Sequence, residues 1–130
     1  MALASHFGPL ETQVLECLWE VRGEATVKDL TELFPGIAYT TLMTTLDRLY
    51  EKGVLTRRKA GRAFLYAPLM SREALDQLLA AEALDAILGR FETPTSIRPV
   101  LSTFVDAVSR KDEVLLDELE ELVRARRRQT

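Results

Sequence analysis

The chain has 130 residues, of which 47% are hydrophobic and 28% are charged, and its formal net charge at pH 7 is −3. This length allows one ordinary domain or two small ones, and the composition predicts a water-soluble protein with a hydrophobic core. A single cysteine excludes an internal disulfide bond, and one cysteine with one histidine argues against a zinc-type site within one chain.

Targeting and catalytic signals are not evident in the sequence. No apolar run approaches the roughly 18 residues that a membrane span needs, and the first residues lack the basic and then apolar pattern of a secretory signal. We therefore expect a cytoplasmic protein without membrane insertion. The histidine has no evident partner and no glycine-rich phosphate loop is present, so we expect neither an enzyme nor a cofactor.

Two helices are predicted at the start of the chain. The first covers residues 9–22, because Pro9 suits the first position of a helix and an apolar stripe follows it. The second covers residues 27–34, because Thr26 and Asp29 have the spacing of a capping box. Both helices present an apolar side to a common core.

A third helix, which starts at Ala38 and stops before Gly53, carries most of the functional information. One of its faces is leucine-rich and predicts burial, through Leu42, Leu46 and Leu49. β-Branched threonine is costly in a helix and is unusual on a merely solvated face. Small hydroxyl side chains with an arginine suit a surface that enters a DNA major groove. The opposite face holds Thr40, Thr41, Thr44, Thr45 and Arg48.

A basic hairpin is predicted after the third helix. Residues 54–58 and 62–67 alternate as strands do, and residues 59–61 are predicted to form the turn between them. Residues 38–67 hold six Lys or Arg against two acidic residues, a local charge of +4 in a chain that is acidic overall. A helix-turn-helix followed by a cationic hairpin is the layout of a winged helix-turn-helix DNA-binding domain.

The second half of the chain predicts three leucine-rich helices, over residues 72–91, 97–109 and 112–127. We therefore predict a mainly α fold with a small β-hairpin, in which residues 1–68 form the winged-helix DNA-binding domain and residues 69–130 a helical dimerisation domain. So small a helical unit gains stability by pairing with a second copy. The alternative is that these helices fold back over the first domain. The side chains predicted at the dimer interface are Leu79, Ile87, Leu101, Phe104, Val105 and Leu119.

Three sequence blocks resemble the BlaI/MecI/CopY family of penicillinase and methicillin-resistance repressors. They are GPLETQVLECLW at residues 8–19, AYTTLMTTLDRLYEKGVL at residues 38–55 and GRAFLY at residues 61–66. The resemblance implies a homodimeric bacterial repressor that binds a palindromic operator in double-stranded DNA. The positions that match the family's groove contacts are Thr40, Thr41, Thr44 and Arg48. Its wing contacts match Lys59 and Arg62, while the ring of Tyr39 is expected in the core.

Two departures from the family pattern affect the expected signal. Copper-responsive members carry paired cysteine motifs near the C-terminus, which this chain lacks, so copper sensing is disfavoured. In antibiotic-responsive members of the family, a protease linked to a membrane sensor inactivates the repressor by cutting an Asn–Phe bond in the dimerisation region. The matching pair here is Thr103-Phe104, with threonine in place of asparagine, and it is the expected cleavage position if induction is proteolytic.

A different class of function fits the same fold pattern. Some winged-helix domains bind proteins without contacting DNA, and the acidic second half permits such a protein-interaction module. The threonine-rich helix and the basic hairpin favour DNA binding instead.

Overall fold

The structure is a computed structural model that describes residues 7–21 and 23–130. Its helices and strands confirm the predicted mainly α fold with a small hairpin. The chain divides into two compact units, Met1–Asp85 and Ala86–Thr130. In chain order the elements are α1 (Pro9–Glu20), α2 (Val27–Leu33), α3 (Tyr39–Glu51), β1 (Leu55–Ala60), β2 (Ala63–Pro68), α4 (Arg72–Leu88), α5 (Pro94–Lys111) and α6 (Val114–Gln129).

Helices α1 and α2 begin where the sequence predicts. Pro9 is the first residue of α1, and Thr26 caps α2 by accepting a hydrogen bond from the Asp29 amide at 3.1 Å, while the Asp29 carboxylate accepts one from the Thr26 amide at 2.9 Å. Helix α1 ends at Glu20, and the predicted end at residue 22 lies outside the described residues. The cap of α2 satisfies two amides that would otherwise lack partners, which fixes the helix start.

The core of the first unit forms around the leucine face of α3. Leu42, Leu46 and Leu49 are all fully buried, as predicted, and they pack with apolar residues of α1, α2 and the hairpin. Gly53 follows the helix with a φ of 82°, the left-handed conformation that glycine adopts at little cost after a helix end. Burial of three leucines stabilises a helix whose four threonines have low intrinsic helix propensity.

An ion pair ties α1 to the end of α3. The Lys52 ammonium donates to the Glu11 carboxylate at 2.6 Å, and the side chains are only 21% and 12% exposed. The same ammonium lies 5.2 Å from the centre of the Phe7 ring. Burial alone would raise the pKa of Glu11, but the bonds from Lys52 and from the Gly8 amide outweigh it, so the pKa lies below its ordinary value.

A Glu11→Gln variant is expected to lose about 1 kcal/mol of stability at neutral pH, because the Lys52 ammonium loses its charged partner. A lowered carboxyl pKa stabilises the fold above the unfolded value and loses that contribution as the pH falls. The stability of the wild type should therefore decline more steeply than that of the variant below a pH of about 4.5. Urea unfolding between pH 7 and pH 3 measures both slopes, and parallel slopes would contradict the expectation.

The hairpin differs from the prediction in its turn. Lys59 pairs with Phe64 and Ala60 pairs with Ala63, so the predicted three-residue turn at 59–61 is wrong. The turn contains two residues, of which Gly61 has a φ of 65° and Arg62 is the second. Positive φ at the first turn position is typical of a type II′ turn, whose twist matches that of the paired strands. The ladder therefore extends through Ala60, two residues beyond the predicted strand.

Helix α4 begins in the first unit. The Ser71 hydroxyl caps the helix by accepting a hydrogen bond from the Ala74 amide at 3.1 Å, and Leu75 is 3% exposed within the first unit's core. Nearby, the indole N–H of Trp19 donates to the Met70 carbonyl at 3.0 Å. The first unit extends to Asp85, so it includes the start of α4, and a functional boundary after residue 68 remains a prediction.

Helix α5 begins earlier than the sequence predicted. The Thr93 hydroxyl accepts from the Ser96 amide at 3.2 Å and Pro94 is the first helical residue, so the predicted start at residue 97 is wrong. Pro99 consequently lies inside the helix, where it lacks the N–H that would continue the backbone ladder. The last helix was predicted to start at residue 112, which is two residues too early, because α6 begins at Val114.

In the part of the chain that the structure describes, no helix combines the length and the apolar character required to cross a membrane.

Candidate nucleic-acid interface

Four predicted contact residues lie together on the exposed side of α3. Thr40, Thr41, Thr44 and Arg48 are all exposed, and we call them the threonine face. The three buried leucines hold the opposite side of the helix in the core, which orients the threonine face outward. The same four residues, with Thr45, line a shallow depression.

Two other residues of α3 correct the sequence analysis. Thr45 is only 7% exposed and its hydroxyl donates to the Thr41 carbonyl one turn earlier at 2.8 Å, so it is not part of the exposed surface. Tyr39, whose ring was expected in the core, is 53% exposed. It stands at the first helical position, at the edge of the leucine face, and lines a groove with Met43 and Phe64.

The hairpin, which we call the wing, carries the other two predicted contacts. Lys59 lies on β1 and Arg62 lies in the turn, and both side chains are exposed. Arg58, on the other face of β1, forms an exposed ion pair with Glu24 at 3.1 Å. The exposed cations Lys59 and Arg62 therefore lie at the end of the wing.

Arg57, by contrast, joins the wing to α3. Its guanidinium carbon lies 4.1 Å from the centre of the Tyr50 ring and 4.4 Å from that of Phe64, and Nη1 lies 3.4 Å from the Asp47 carboxylate. The Tyr66 hydroxyl donates to the same carboxylate oxygen at 2.9 Å. We call these five residues the wing cluster. Cation–π contacts and ion pairs of this kind restrict how the two elements move relative to each other.

The protonation states within the wing cluster follow from its contacts. Burial, and then the hydrogen bond to Asp47, raises the pKa of the Tyr66 hydroxyl, which stays a donor at neutral pH. The neighbouring Tyr66 raises the pKa of the Arg57 guanidinium above its ordinary value. Both shifts favour the protonated forms of Tyr66 and Arg57, which donate hydrogen bonds within the cluster.

Sequence reasoning counted Arg57 among the cations of a DNA-binding surface and missed its contacts. Strand alternation places Arg57 and Lys59 on one face of β1, and the register puts Tyr66 and Phe64 opposite them. That alternation is the signal that identifies Arg57 as a neighbour of two aromatic rings. The contact with Tyr50 and Asp47 depends on how the hairpin packs on α3, which strand alternation alone does not indicate.

The residues predicted for dimerisation and cleavage are spread over α4, α5 and α6. Leu79 packs partly against the core of the first unit, so one chain already covers part of it. Leu119 is half-buried in α6. The other four are substantially exposed, at 42% for Ile87, 50% for Leu101, 44% for Phe104 and 41% for Val105.

Thr103, the residue before the predicted cleavage position, lies in the middle of α5. Its side chain is exposed, and its hydroxyl donates to the Pro99 carbonyl at 2.9 Å. The bond between Thr103 and Phe104 is therefore held in helical backbone in this chain.

The arrangement of the first unit defines a class of protein. It contains three helices followed by a two-stranded hairpin. The third helix has an exposed polar face, and the hairpin packs on that helix. This arrangement is a winged helix-turn-helix. The model of the penicillinase repressor family matches residues 7–125, and the chain belongs to that family. It is a DNA-binding transcriptional repressor rather than an enzyme.

The BlaI relatives from Mycobacterium tuberculosis agree with this assignment. The transcriptional regulator BlaI from two strains of Mycobacterium tuberculosis is 35% identical over 111 residues, which cover 83% of this chain and 78% of the relative. A solution structure of the DNA-binding domain of the repressor BlaI is 26% identical, with a TM-score of 0.46, and the match covers 55% of this chain and 90% of that domain.

Proposed function

We propose that two copies of this chain bind a palindromic operator in double-stranded DNA and repress transcription there, as a cytoplasmic protein. In each copy α3 enters a major groove, and Lys59 and Arg62 of the wing contact the neighbouring phosphates. The observation that carries this proposal is the threonine face, an exposed set of side chains on the helix that the winged-helix class uses for base reading.

The chemistry of the threonine face suits groove contacts. Arg48 carries a planar set of donors that matches the O6 and N7 acceptors of guanine. The hydroxyls of Thr40, Thr41 and Thr44 are able to bond phosphate oxygens or base edges, and their methyl groups suit contact with thymine. Arg48 thus supplies one base-specific contact, and the three threonines supply contacts that suit either phosphate or base edges.

The apolar surface of the second unit supports the homodimer. Neither α5 nor α6 has a buried residue in the single chain, although α5 displays Leu101, Phe104 and Val105 along one side. Apolar side chains at this spacing suit a self-complementary two-fold interface. A two-fold dimer matches a palindrome, with half-sites one or more helical turns apart.

Loss of the dimer is the proposed route of induction. Each subunit alone keeps only half of the operator contacts, so separating the subunits weakens binding strongly. Cleavage by a membrane sensor protease between Thr103 and Phe104 would separate them by breaking α5. Because proteases bind extended backbone, α5 has to unwind locally first, and Pro99, which removes one backbone hydrogen bond nearby, lowers the cost of that opening.

Selection of bound duplexes from a random pool tests the proposal directly. The full chain is expected to enrich a two-fold symmetric sequence, and binding to it should weaken steeply as the salt concentration rises. A chain that binds no duplex would instead support the alternative, a winged-helix protein-interaction module without DNA binding. Size-exclusion chromatography with light scattering, on the same sample, measures the oligomeric state.

Removing Arg62 is expected to weaken binding to all duplexes alike. Its side chain lies in the wing turn, away from base edges, so an Arg62→Ala variant should reduce the slope of log affinity against log salt by about one unit. The matched control is Arg110→Ala, which removes an equal charge from α5 and should leave the slope unchanged. An unaltered slope in the Arg62 variant would remove this residue from the proposed contacts.

A further inference from the structure

The orientation of the wing relative to α3 depends on a small number of side chains. The wing has two strands only, and isolated two-stranded hairpins are marginally stable in water. Among the residues that the structure describes, its further ladder contact is the bridge from Ala25 to Tyr66, with two hydrogen bonds of 2.9 Å. On the face of the hairpin turned toward α3, Leu55 and Tyr66 are buried in the same core as the leucines of that helix, and the polar contacts that join this face to α3 are those of the wing cluster.

From these contacts we propose that Arg57 is a positioning residue that sets the wing against α3, and that Asp47 is its anchor on the helix. This inference rests on the proposed DNA-binding function, and it concerns how the contacts of α3 and those of the wing are held at a fixed separation. A fixed separation lets both elements engage one DNA site without a loss of conformational freedom on binding. Arg57 thus acts through Lys59 and Arg62 rather than by contacting DNA itself.

The surroundings of Arg57 separate it from the exposed cations. Its guanidinium lies over the rings of Tyr50 and Phe64 and beside a carboxylate, whereas the side chains of Lys59 and Arg62 are exposed. A flat guanidinium stacks on aromatic rings in a way that the ammonium of lysine does not reproduce. Replacement by lysine keeps the charge and removes the stacking.

Because Asp47 is a carboxylate, simple electrostatics and the positioning role predict opposite changes in DNA affinity when its charge is removed. A carboxylate on the DNA-facing helix repels phosphate, so electrostatics alone predicts that an Asp47→Asn variant binds DNA more tightly. If Asp47 anchors the wing, the same change loosens the hairpin and weakens specific binding. Glu24 provides the matched control, because it pairs with Arg58 on the other face of the same strand, with both side chains exposed.

The experiment uses the full chain, its selected operator and an unrelated duplex. We expect Asp47→Asn to lose about tenfold in operator affinity and to lose much less on the unrelated duplex, whereas Glu24→Gln keeps or gains affinity on both. Arg57→Lys should also lose operator affinity, with the salt slope unchanged. In the free protein, amide hydrogen exchange of the wing should be faster in Asp47→Asn than in Glu24→Gln, with equal protection of α1.

The two readouts distinguish the two hypotheses. Unchanged wing exchange in Asp47→Asn, or a gain in affinity equal to that of Glu24→Gln, would overturn the positioning role while the proposed function stands. If amide exchange of the wing is faster in Asp47→Asn but the wild-type chain selects no operator, the proposed function is overturned. The part of the inference that concerns DNA is then overturned with it. Global unfolding of Asp47→Asn is checked by its denaturant midpoint. Tyr66→Phe, which removes the hydroxyl bond to Asp47 and the contact of that hydroxyl with Arg57, should then show a smaller change of the same sign.

Discussion

A Phe104→Asp variant is expected to be monomeric and to lose tight binding to the operator. Phe104 is 44% exposed on the apolar side of α5, so the substitution leaves the fold of one chain largely intact and places a charge in the proposed interface. Linked half-sites bind more tightly than a single one by a factor of roughly 10² to 10⁴, and a monomer should lose a comparable factor. Light scattering and a titration on the operator measure the two effects.

The matched control for this variant is Ser102→Asp, which adds the same charge to an exposed position of α5. Ser102 lies about 160° around the helix from Phe104, so the control is expected to remain dimeric and to bind normally. Circular dichroism of both variants checks that α5 stays helical. A monomeric Phe104 variant that still binds the operator tightly would overturn the role of dimerisation in DNA binding.

An Arg48→Ala variant is expected to lose about 1–3 kcal/mol of specific binding, because Arg48 is the proposed reader of a guanine. One position in each half-site should also become less selective when the selection from random duplexes is repeated. Arg48 is exposed at the end of the threonine face, and the leucines that support α3 are unaffected by the change. Stability of the variant, measured by thermal unfolding, should remain close to that of the wild type.

The control for the Arg48 experiment is the Arg62→Ala variant, which also removes one positive charge. The two variants differ in where that charge lies, on the base-reading helix or in the wing turn. Arg62→Ala should weaken specific and non-specific binding alike, with no change in the selected sequence. Equal losses on the operator and on an unrelated duplex in Arg48→Ala would remove the base-reading role.

Features that depend on neighbouring residues in the sequence were predictable. The capping box of Thr26 and Asp29 is a local exchange of two hydrogen bonds, and the structure contains both. The burial of Leu42, Leu46 and Leu49 follows from helical periodicity, which also places the threonine face on the exposed side. Local patterns therefore identified the helix and the face that carry the proposed function.

Features that depend on packing between distant segments were not predictable. Tyr39 is exposed although its aromatic ring favours burial, because the side of α3 on which it lies is left uncovered along the groove beside the wing. Arg57 is held by residues of α3 that precede it by seven and ten positions. The start of α5 was a different error, because the sequence analysis placed it at residue 97, whereas Thr93 and Pro94 set it three residues earlier.

The contact between Trp19 and Met70 has a practical consequence. The chain contains a single tryptophan, and its indole N–H donates to a carbonyl just before α4, with Arg72 lying 5.2 Å from the ring. Indole fluorescence is sensitive to polarity and to hydrogen bonding, so the emission spectrum of the unlabelled protein reports on this one junction. Detachment of α4 from the winged-helix unit can therefore be followed optically, without any added probe.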